Sequence, residues 1–213
     1  MAQHDIKTSI ALAGLLNDLP DDEPMSIKSV LDKLDGRAFG LLLFAIAVPN
    51  CIPNIPGIST IFGLLLIAPG MQMIFGSGKV WLPKQISERK FDPRSIKTGI
   101  EKAIPILQKL EKFIRPRLEF LTVKPFTILL GIEVLILAGI LILPIPFANM
   151  VPGLAVAMIA LGLLQKDGLL VLIANIIFVL SIGLANLGVG AGFAAINWTI
   201  NAIVEFFSHL FGA

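Results

Sequence analysis

A single acidic residue lies inside an otherwise uncharged stretch of the sequence. Glu133 stands nine residues after Lys124, and no other charged residue occurs before Lys166. On a helix this places its carboxyl group about 13 Å into the stretch, where a charge costs about 2.5–3.5 kcal/mol if the stretch lies in a bilayer. Such a group either couples proton or substrate movement or is protonated and hydrogen-bonded to a neighbouring helix, and the sequence leaves both open.

Amides and a hydroxyl are the other polar groups of interest in the apolar regions. Several lie beside prolines, which break helices because proline lacks the backbone N–H and clashes with the preceding turn. Helix N-termini that begin after such breaks favour an anion. We therefore predict a site for a phosphate or carboxylate group, although any one amide taken alone is better explained as a partner for backbone groups that proline frees. The substrate-binding or transport candidates are Glu133, Asn50, Asn54, Asn149, Gln72 and Ser59.

Signatures of catalysis and metal binding are missing from the sequence. The two histidines, His4 and His209, lie near opposite ends, and no HExxH, GxSxG or GxxxxGK[ST] motif occurs. The lone Cys51 cannot form an internal disulfide and fits a small apolar filler better than a nucleophile. We expect no catalytic residue, metal site, cofactor or enzymatic activity.

The composition is that of an integral membrane protein. Hydrophobic residues make up 55% of the 213 residues and charged residues only 15%, and the mean hydropathy is +0.86. Soluble domains average roughly 45–50% apolar and 25% charged residues. A soluble core of this length could not bury so much apolar surface, which excludes an ordinary soluble domain.

Charge is segregated along the chain. Residues 1–36 carry seven acidic residues against three lysines, whereas residues 79–124 carry twelve basic residues against five acidic ones. Short loops rich in Lys and Arg stay cytoplasmic, so we predict a cytoplasmic N-terminus and a cytoplasmic 79–124 connector. A basic loop beside a membrane indicates topology and contact with anionic lipid headgroups rather than with nucleic acid.

Two apolar blocks, 38–78 and 125–165, have 41 residues each. A helix crosses a bilayer in about 20 residues, so each block is expected to form a helical hairpin. The reversals coincide with PNCIPNIPG and PIPFANMVPG. The leg at 38–48 reaches only about 16 Å, so the first break is either a full crossing or the tip of a re-entrant hairpin. Long and short legs are exchanged between the blocks, which suggests an internal repeat, although two unrelated hairpins would give the same pattern.

The remaining segments flank the hairpins. We predict an acidic N-terminal segment at 1–37, in which Ser26 caps a helix. The connector is expected to hold an amphipathic helix, interrupted at Pro105, that lies along anionic headgroups or on the protein's own cytoplasmic face. One or two C-terminal membrane helices are expected at 166–213. GVGAG is predicted to be a turn rather than a site where Gly188 and Gly192 let helices pack closely, with a last crossing or an interfacial helix beyond it. The predicted fold class is an all-α integral membrane protein with four to six spans.

A set of short motifs occurs together in the two blocks and the connector between them. Arg115-Pro116-Arg117 and the stretch LPIPFANMVPGLAVAMIALGLLQKDGLLVL belong to it. Its members in and just after the first block are Gly40, Pro49-Asn50, Pro53, Pro56-Gly57, Ser59, Gln72-Met73, Gly76 and Trp81-Leu82-Pro83. Together these motifs resemble the ExoD family of bacterial exopolysaccharide-synthesis membrane proteins over residues 26–185. The resemblance implies a bacterial inner-membrane protein and assigns no catalytic residue.

The leading functional hypothesis is transport or hand-over of a lipid-linked or anionic intermediate, such as a lipid-linked saccharide or a prenyl phosphate. The alternative is an assembly or regulatory subunit that docks synthesis enzymes through the basic connector. A membrane enzyme acting on a prenyl phosphate has the least support. Homo-oligomerisation is left open.

Overall fold

The computed structural model describes residues 8–19, 25–26, 29, 38–52, 57–76, 90–143 and 149–211. Within these ranges the chain is all-α, apart from an antiparallel pairing of two-residue strands, β1 (Met25–Ser26) with β2 (Lys90–Phe91). The predicted helical class is therefore confirmed.

The described residues form seven α-helices. In chain order they are α1 (Thr8–Asn17), α2 (Ala38–Ala47), α3 (Ile58–Ile74), α4 (Pro93–Leu110), α5 (Phe126–Ile142), α6 (Met150–Gln165) and α7 (Gly168–Phe211). Two 3-10 turns lie at Val48–Cys51 and Glu119–Thr122. Each apolar block thus holds two helices, α2 and α3 in the first block and α5 and α6 in the second.

Proline and glycine explain where these helices stop and start. Pro49 lies in the first turn of the 3-10 segment that ends α2. Gly57 has φ 104°, a conformation that only glycine adopts readily, and α3 begins at the next residue. Pro152 lies in the first turn of α6, where its missing N–H leaves no helical bond unmade. This helix therefore begins within PIPFANMVPG and not after it, as we had expected.

The long helices of the two blocks pair with each other. α3 and α5 are antiparallel, since Thr60 Oγ1 donates to the Ile142 carbonyl at 3.0 Å at one end. At the other end, Lys124 Nζ donates to the Gly76 carbonyl at 3.1 Å. Their contact is the most extensive between any two described elements.

The short helices pair in the same way. α2 packs more extensively on α6 than on α3, with Gly40 against Leu164 at one end of the pair and Asn50 against Gly153 at the other. The end of the bundle that holds Asn50 and Gly153 is named the break end, and the opposite end, which holds Gly76 and Gln165, the connector end. Both proline-rich breaks therefore lie at the break end.

Glycine permits the close approach of α3 and α5. A side chain at Gly63 would place its Cβ 2.9 Å from the Ala138 carbonyl oxygen, and one at Gly131 would place it 2.7 Å from Met73 Cβ. Small residues at such positions let helix backbones come together. The close packing of α3 and α5 thus requires glycine at two positions, Gly63 and Gly131.

The apolar helices are hydrophobic on their outer faces as well as in the core. The core is formed by α2, α3, α5, α6 and the first turns of α7. On the outside, Ile61 is 60% exposed, Leu129 53% and Val179 65%. Among the described residues, only Gly168–Gly190, with 23 residues, forms a segment long and apolar enough to cross a membrane, and the other apolar helices are shorter.

The connector helix α4 differs from the prediction at Pro105, and its packing distinguishes the two placements proposed for it. It continues through Pro105, which is exposed, to Leu110, so the predicted interruption is wrong. Ile100 and Leu107 on its apolar face are buried in a cluster with leucines of α1 and α6. Of the two placements that we weighed, α4 therefore lies on the protein's own surface, and its apolar face is not available to lipid.

The C-terminal part also differs from the prediction. No turn occurs at GVGAG, because α7 is one continuous helix of 44 residues, about 66 Å long. This stretch contains no proline, and glycine inside a helix lowers its stability without ending it. Ser26 Oγ accepts the Ser29 N–H at 3.2 Å, but the helix that Ser26 was predicted to cap lies outside the described residues.

Candidate functional site

Three of the predicted polar residues lie at the break end, and the 3-10 turn after α2 positions the first of them. Asn50 is fully buried, and its Nδ2 donates to the Ile46 carbonyl at 3.2 Å. Its neighbour across the helix pair must be glycine, because a Cβ at Gly153 would lie 2.7 Å from Asn50 Cβ. Its Oδ1 has no hydrogen-bond partner in the part of the chain that the structure describes.

Asn149 and Ser59 join the two breaks directly. Asn149 is the residue before α6, where an asparagine commonly caps the helix, but its side chain makes no capping bond. Instead Nδ2 donates to Ser59 Oγ at 2.6 Å, and it also lies 3.4 Å from the Leu143 carbonyl. Both residues are buried, and Asn149 Oδ1 lacks a partner among the described residues.

Asn50, Ser59 and Asn149 are named the amide cluster. A buried acceptor without a partner costs about 1–3 kcal/mol. Asn50 Oδ1 and Asn149 Oδ1 have no partner among the described residues, so they can accept hydrogen bonds from hydroxyl or N–H donors. The N-termini of α3 and α6, which carry partial positive charge, lie at the same end. The arrangement suits a ligand that combines donor groups with an anionic group.

Glu133 lies apart from the amide cluster. It is buried near the middle of α5, and its Oε2 has no partner in the described ranges. Ile142 lies at the break end, where its carbonyl accepts from Thr60. Glu133 precedes it by nine residues, which is about 14 Å of helix. Its carboxyl group therefore lies between the two ends of the bundle.

Gln72 lies away from the amide cluster. Gln72 is buried in the last turns of α3 at the connector end, about 20 Å from Ser59 along the helix, and it has an interaction partner of its own. Asn54 falls outside the described residues. No group of three or more His, Cys, Asp or Glu side chains suited to a metal occurs in the described ranges.

Two carboxylates at the connector end are buried although the sequence did not predict a role for them. Glu111 accepts the Ser9 N–H at 2.8 Å, the Ser9 hydroxyl at 2.5 Å and Gln165 Nε2 at 2.9 Å. Asp167 accepts the N–H groups of Arg115 and Leu169, both at 3.0 Å, so it caps α7 and holds the connector. An aspartate before a helix is a readable cap signal, whereas nothing near Glu111 indicates a partner 102 residues away.

The structure is thus a bundle of apolar helices in which Asn50, Ser59 and Asn149 are buried at the break end. The family model described as "Exopolysaccharide synthesis, ExoD" matches residues 8–187, so the chain belongs to the ExoD family, which is implicated in exopolysaccharide synthesis. The match confirms the resemblance found in the sequence and extends it to α1.

Two relatives support this assignment. The chain is 28% identical over 179 residues to Protein ExoD of Rhizobium meliloti (strain 1021), which covers 79% of this chain and 74% of the relative. It is 28% identical over 148 residues to an uncharacterized protein of Synechocystis sp. (strain ATCC 27184 / PCC 6803 / Kazusa), covering 68% of this chain and 70% of that protein. No solved structure matches the chain significantly.

Proposed function

We propose that this chain is a multi-pass bacterial inner-membrane protein that transports or hands over a lipid-linked or anionic intermediate of exopolysaccharide synthesis, without catalysing a reaction itself. The amide cluster is its binding site. The observation that carries the proposal is the convergence of both breaks on two buried amide oxygens without partners in the described residues.

The outward-facing apolar side chains support the membrane placement. Large exposed apolar patches mark contact with membranes or partners, and here they run along the outer faces of α3, α5 and α7. The amide cluster lies about 24 Å from the connector end along α6, within a hydrocarbon core of about 30 Å. Irregular backbone at such depth must be buried in protein or line a wet cavity. Protease added outside intact cells should leave residues 79–124 uncut, and cleavage there would overturn this topology.

The site chemistry suggests the substrate class. A lipid-linked saccharide or prenyl phosphate carries an anionic group for the N-termini of α3 and α6, and sugar hydroxyls can donate to Asn50 Oδ1 and Asn149 Oδ1. A free anion without hydroxyl donors would leave both oxygens unsatisfied. We therefore expect the saccharide-bearing form to bind more tightly than the bare phosphate.

Glu133 is the proposed coupling residue. Its carboxyl group is buried midway between the two ends of the bundle, where a proton or a passing donor group can reach it only through the protein. Buried ionisable residues inside membrane helices commonly belong to proton or substrate pathways. In this role it would release or bind a proton as substrate passes from one end to the other.

Purified protein in liposomes, supplied with labelled prenyl-phosphate-linked saccharide, tests the proposal. Asn149→Ala should lower the transfer rate at least tenfold. The matched control is Asn186→Ala, because Asn186 is exposed and donates only to the Ile182 carbonyl of its own helix. Equal transfer by both variants would refute the site, and appearance of a chemically altered saccharide would refute the non-enzymatic role.

The competing proposal, an assembly or regulatory subunit, draws support from the exposed cations of the connector end, including Lys112, Arg115 and Arg117. Crosslinking that recovers a stable glycosyltransferase partner would favour it. So would normal polysaccharide output from a variant whose amide cluster is replaced by apolar residues.

A further inference from the structure

The segment after α4 carries cations and large apolar side chains together on the protein surface. Its cations are exposed, and its apolar members have exposed fractions of 81% for Phe113, 45% for Leu118, 55% for Phe120 and 51% for Val123. This segment, residues 112–124, is named the cationic belt. Its basic residues are Lys112, Arg115, Arg117 and Lys124.

Hydrogen bonds hold the cationic belt at the turn between α6 and α7 and beside the end of α3. The Arg115 N–H donates to Asp167 at 3.0 Å, and the Arg117 carbonyl accepts the Gly168 N–H at 2.6 Å, which fixes the belt at the turn between α6 and α7. Lys124 Nζ reaches the Gly76 carbonyl just beyond α3, and α5 begins two residues later. The belt therefore lies at the level where the apolar helices end.

We propose that the cationic belt binds the surface of an anionic bilayer, with its basic side chains at lipid phosphates and its exposed phenylalanines in the headgroup region. Lys and Arg next to anionic lipid each contribute about 1 kcal/mol, and aromatic rings are enriched at this depth. The apolar face of α4 is already covered by α1 and α6, so the lipid contact falls to the belt and not to the amphipathic helix. The inference rests on the proposed membrane placement and is independent of transport.

Charge complementarity indicates that the partner of the cationic belt is anionic. Within residues 112–124 four basic residues stand against one acidic residue, Glu119. A water-exposed loop gains nothing from keeping Phe113 almost fully exposed between two cations, whereas an interfacial segment buries that ring among lipid headgroups. A bilayer with anionic phosphates satisfies both features at once.

The test titrates the purified full chain in neutral detergent micelles with phosphatidylglycerol or phosphatidylcholine and follows the thermal midpoint. Phosphatidylglycerol should raise the midpoint more than phosphatidylcholine, and Arg115→Gln/Arg117→Gln should weaken the apparent affinity for it about 25-fold, or fivefold per cation. Lys102→Gln/Lys109→Gln is the matched control, since it removes two exposed charges of α4 instead and should change the affinity less than threefold.

Equal weakening by the two pairs, or equal stabilisation by the two lipids, would overturn the inference. Phe113→Ser provides a second measure, because this exposed ring supports no core and its loss should weaken phosphatidylglycerol binding without changing charge. Unchanged binding by this variant would remove the aromatic part of the proposal. Asn149→Ala should bind phosphatidylglycerol normally, so failure of the transport proposal would remain distinguishable.

Discussion

Asn149 donates its side-chain amide to the Ser59 hydroxyl across 2.6 Å, which joins the second proline-rich break to the first turn of α3, 90 positions earlier in the chain. Both residues use side chains that would ordinarily cap a helix. The bond leaves Asn149 Oδ1 without a partner among the described residues. The contact therefore links the second break to the start of α3, and the proposed ligand would donate to Asn149 Oδ1.

If the amide cluster serves function at the expense of stability, Asn50→Leu should separate the two. The change removes a buried unpartnered acceptor that costs about 1–3 kcal/mol, so the thermal midpoint in detergent should rise or stay level despite loss of the Ile46 bond. Transfer of labelled saccharide in liposomes should fall below a tenth of the original rate. Asn186→Leu, at an exposed position, is the control and should leave transfer unchanged. A stabilised variant with normal transfer would contradict the prediction.

Gly153→Ala tests the contact between the short helices. The new Cβ would lie 2.7 Å from Asn50 Cβ and 2.9 Å from its backbone carbonyl carbon, and overpacking of this kind costs about 1–3 kcal/mol. The thermal midpoint should fall accordingly. Gly139→Ala is the matched control, because a Cβ at that position would have no neighbouring atom within 4 Å and alanine favours helix by about 1 kcal/mol. Equal midpoints for the two variants would show that α2 and α6 are not in contact at Gly153.

The sequence was informative where local chemistry decides the structure. Prolines located both breaks, and the amides beside them, Asn50 and Asn149, proved to be part of one cluster. Gln72 looked equivalent in sequence but lies at the opposite end, because its place depends on how α3 pairs with α5. GVGAG was wrongly assigned as a turn, since glycine permits a turn without requiring one.

Contacts between residues that are distant in the sequence could not be predicted, because they depend on how the helices pack. Glu111 looked like one more solvated charge of the basic connector, and only the fold brings Ser9 and Gln165 to its carboxylate. The packing of α4 could not be predicted either. The apolar spacing of α4 predicts that one face is buried, but it does not indicate whether lipid or protein buries that face. The leucines of α1 decide that question.

Glu111→Gln should release α1 from the connector end. A carboxylate accepts all three donors from Ser9 and Gln165, whereas the amide that replaces it would turn one N–H group toward a donor, at a cost of about 1–3 kcal/mol for a buried group. Hydrogen exchange of the α1 amides should accelerate more than fivefold, while exchange in α5 stays unchanged. Glu101→Gln, exposed on α4, is the control. Unchanged exchange in α1 would mean that its leucines alone hold it in place.

Glu133→Gln tests coupling without altering shape. The amide keeps the volume and burial of the carboxyl group but cannot take up or release a proton, so the variant should fold and bind substrate while losing the dependence of transfer on an imposed pH gradient. Transfer of labelled saccharide into liposomes, measured with and without a gradient, provides the comparison. Glu119→Gln removes an exposed carboxylate from the cationic belt and should respond to the gradient as the unchanged protein does. If Glu133→Gln retains the full gradient response, the carboxyl group has a structural role, and the coupling pathway must be sought among other residues.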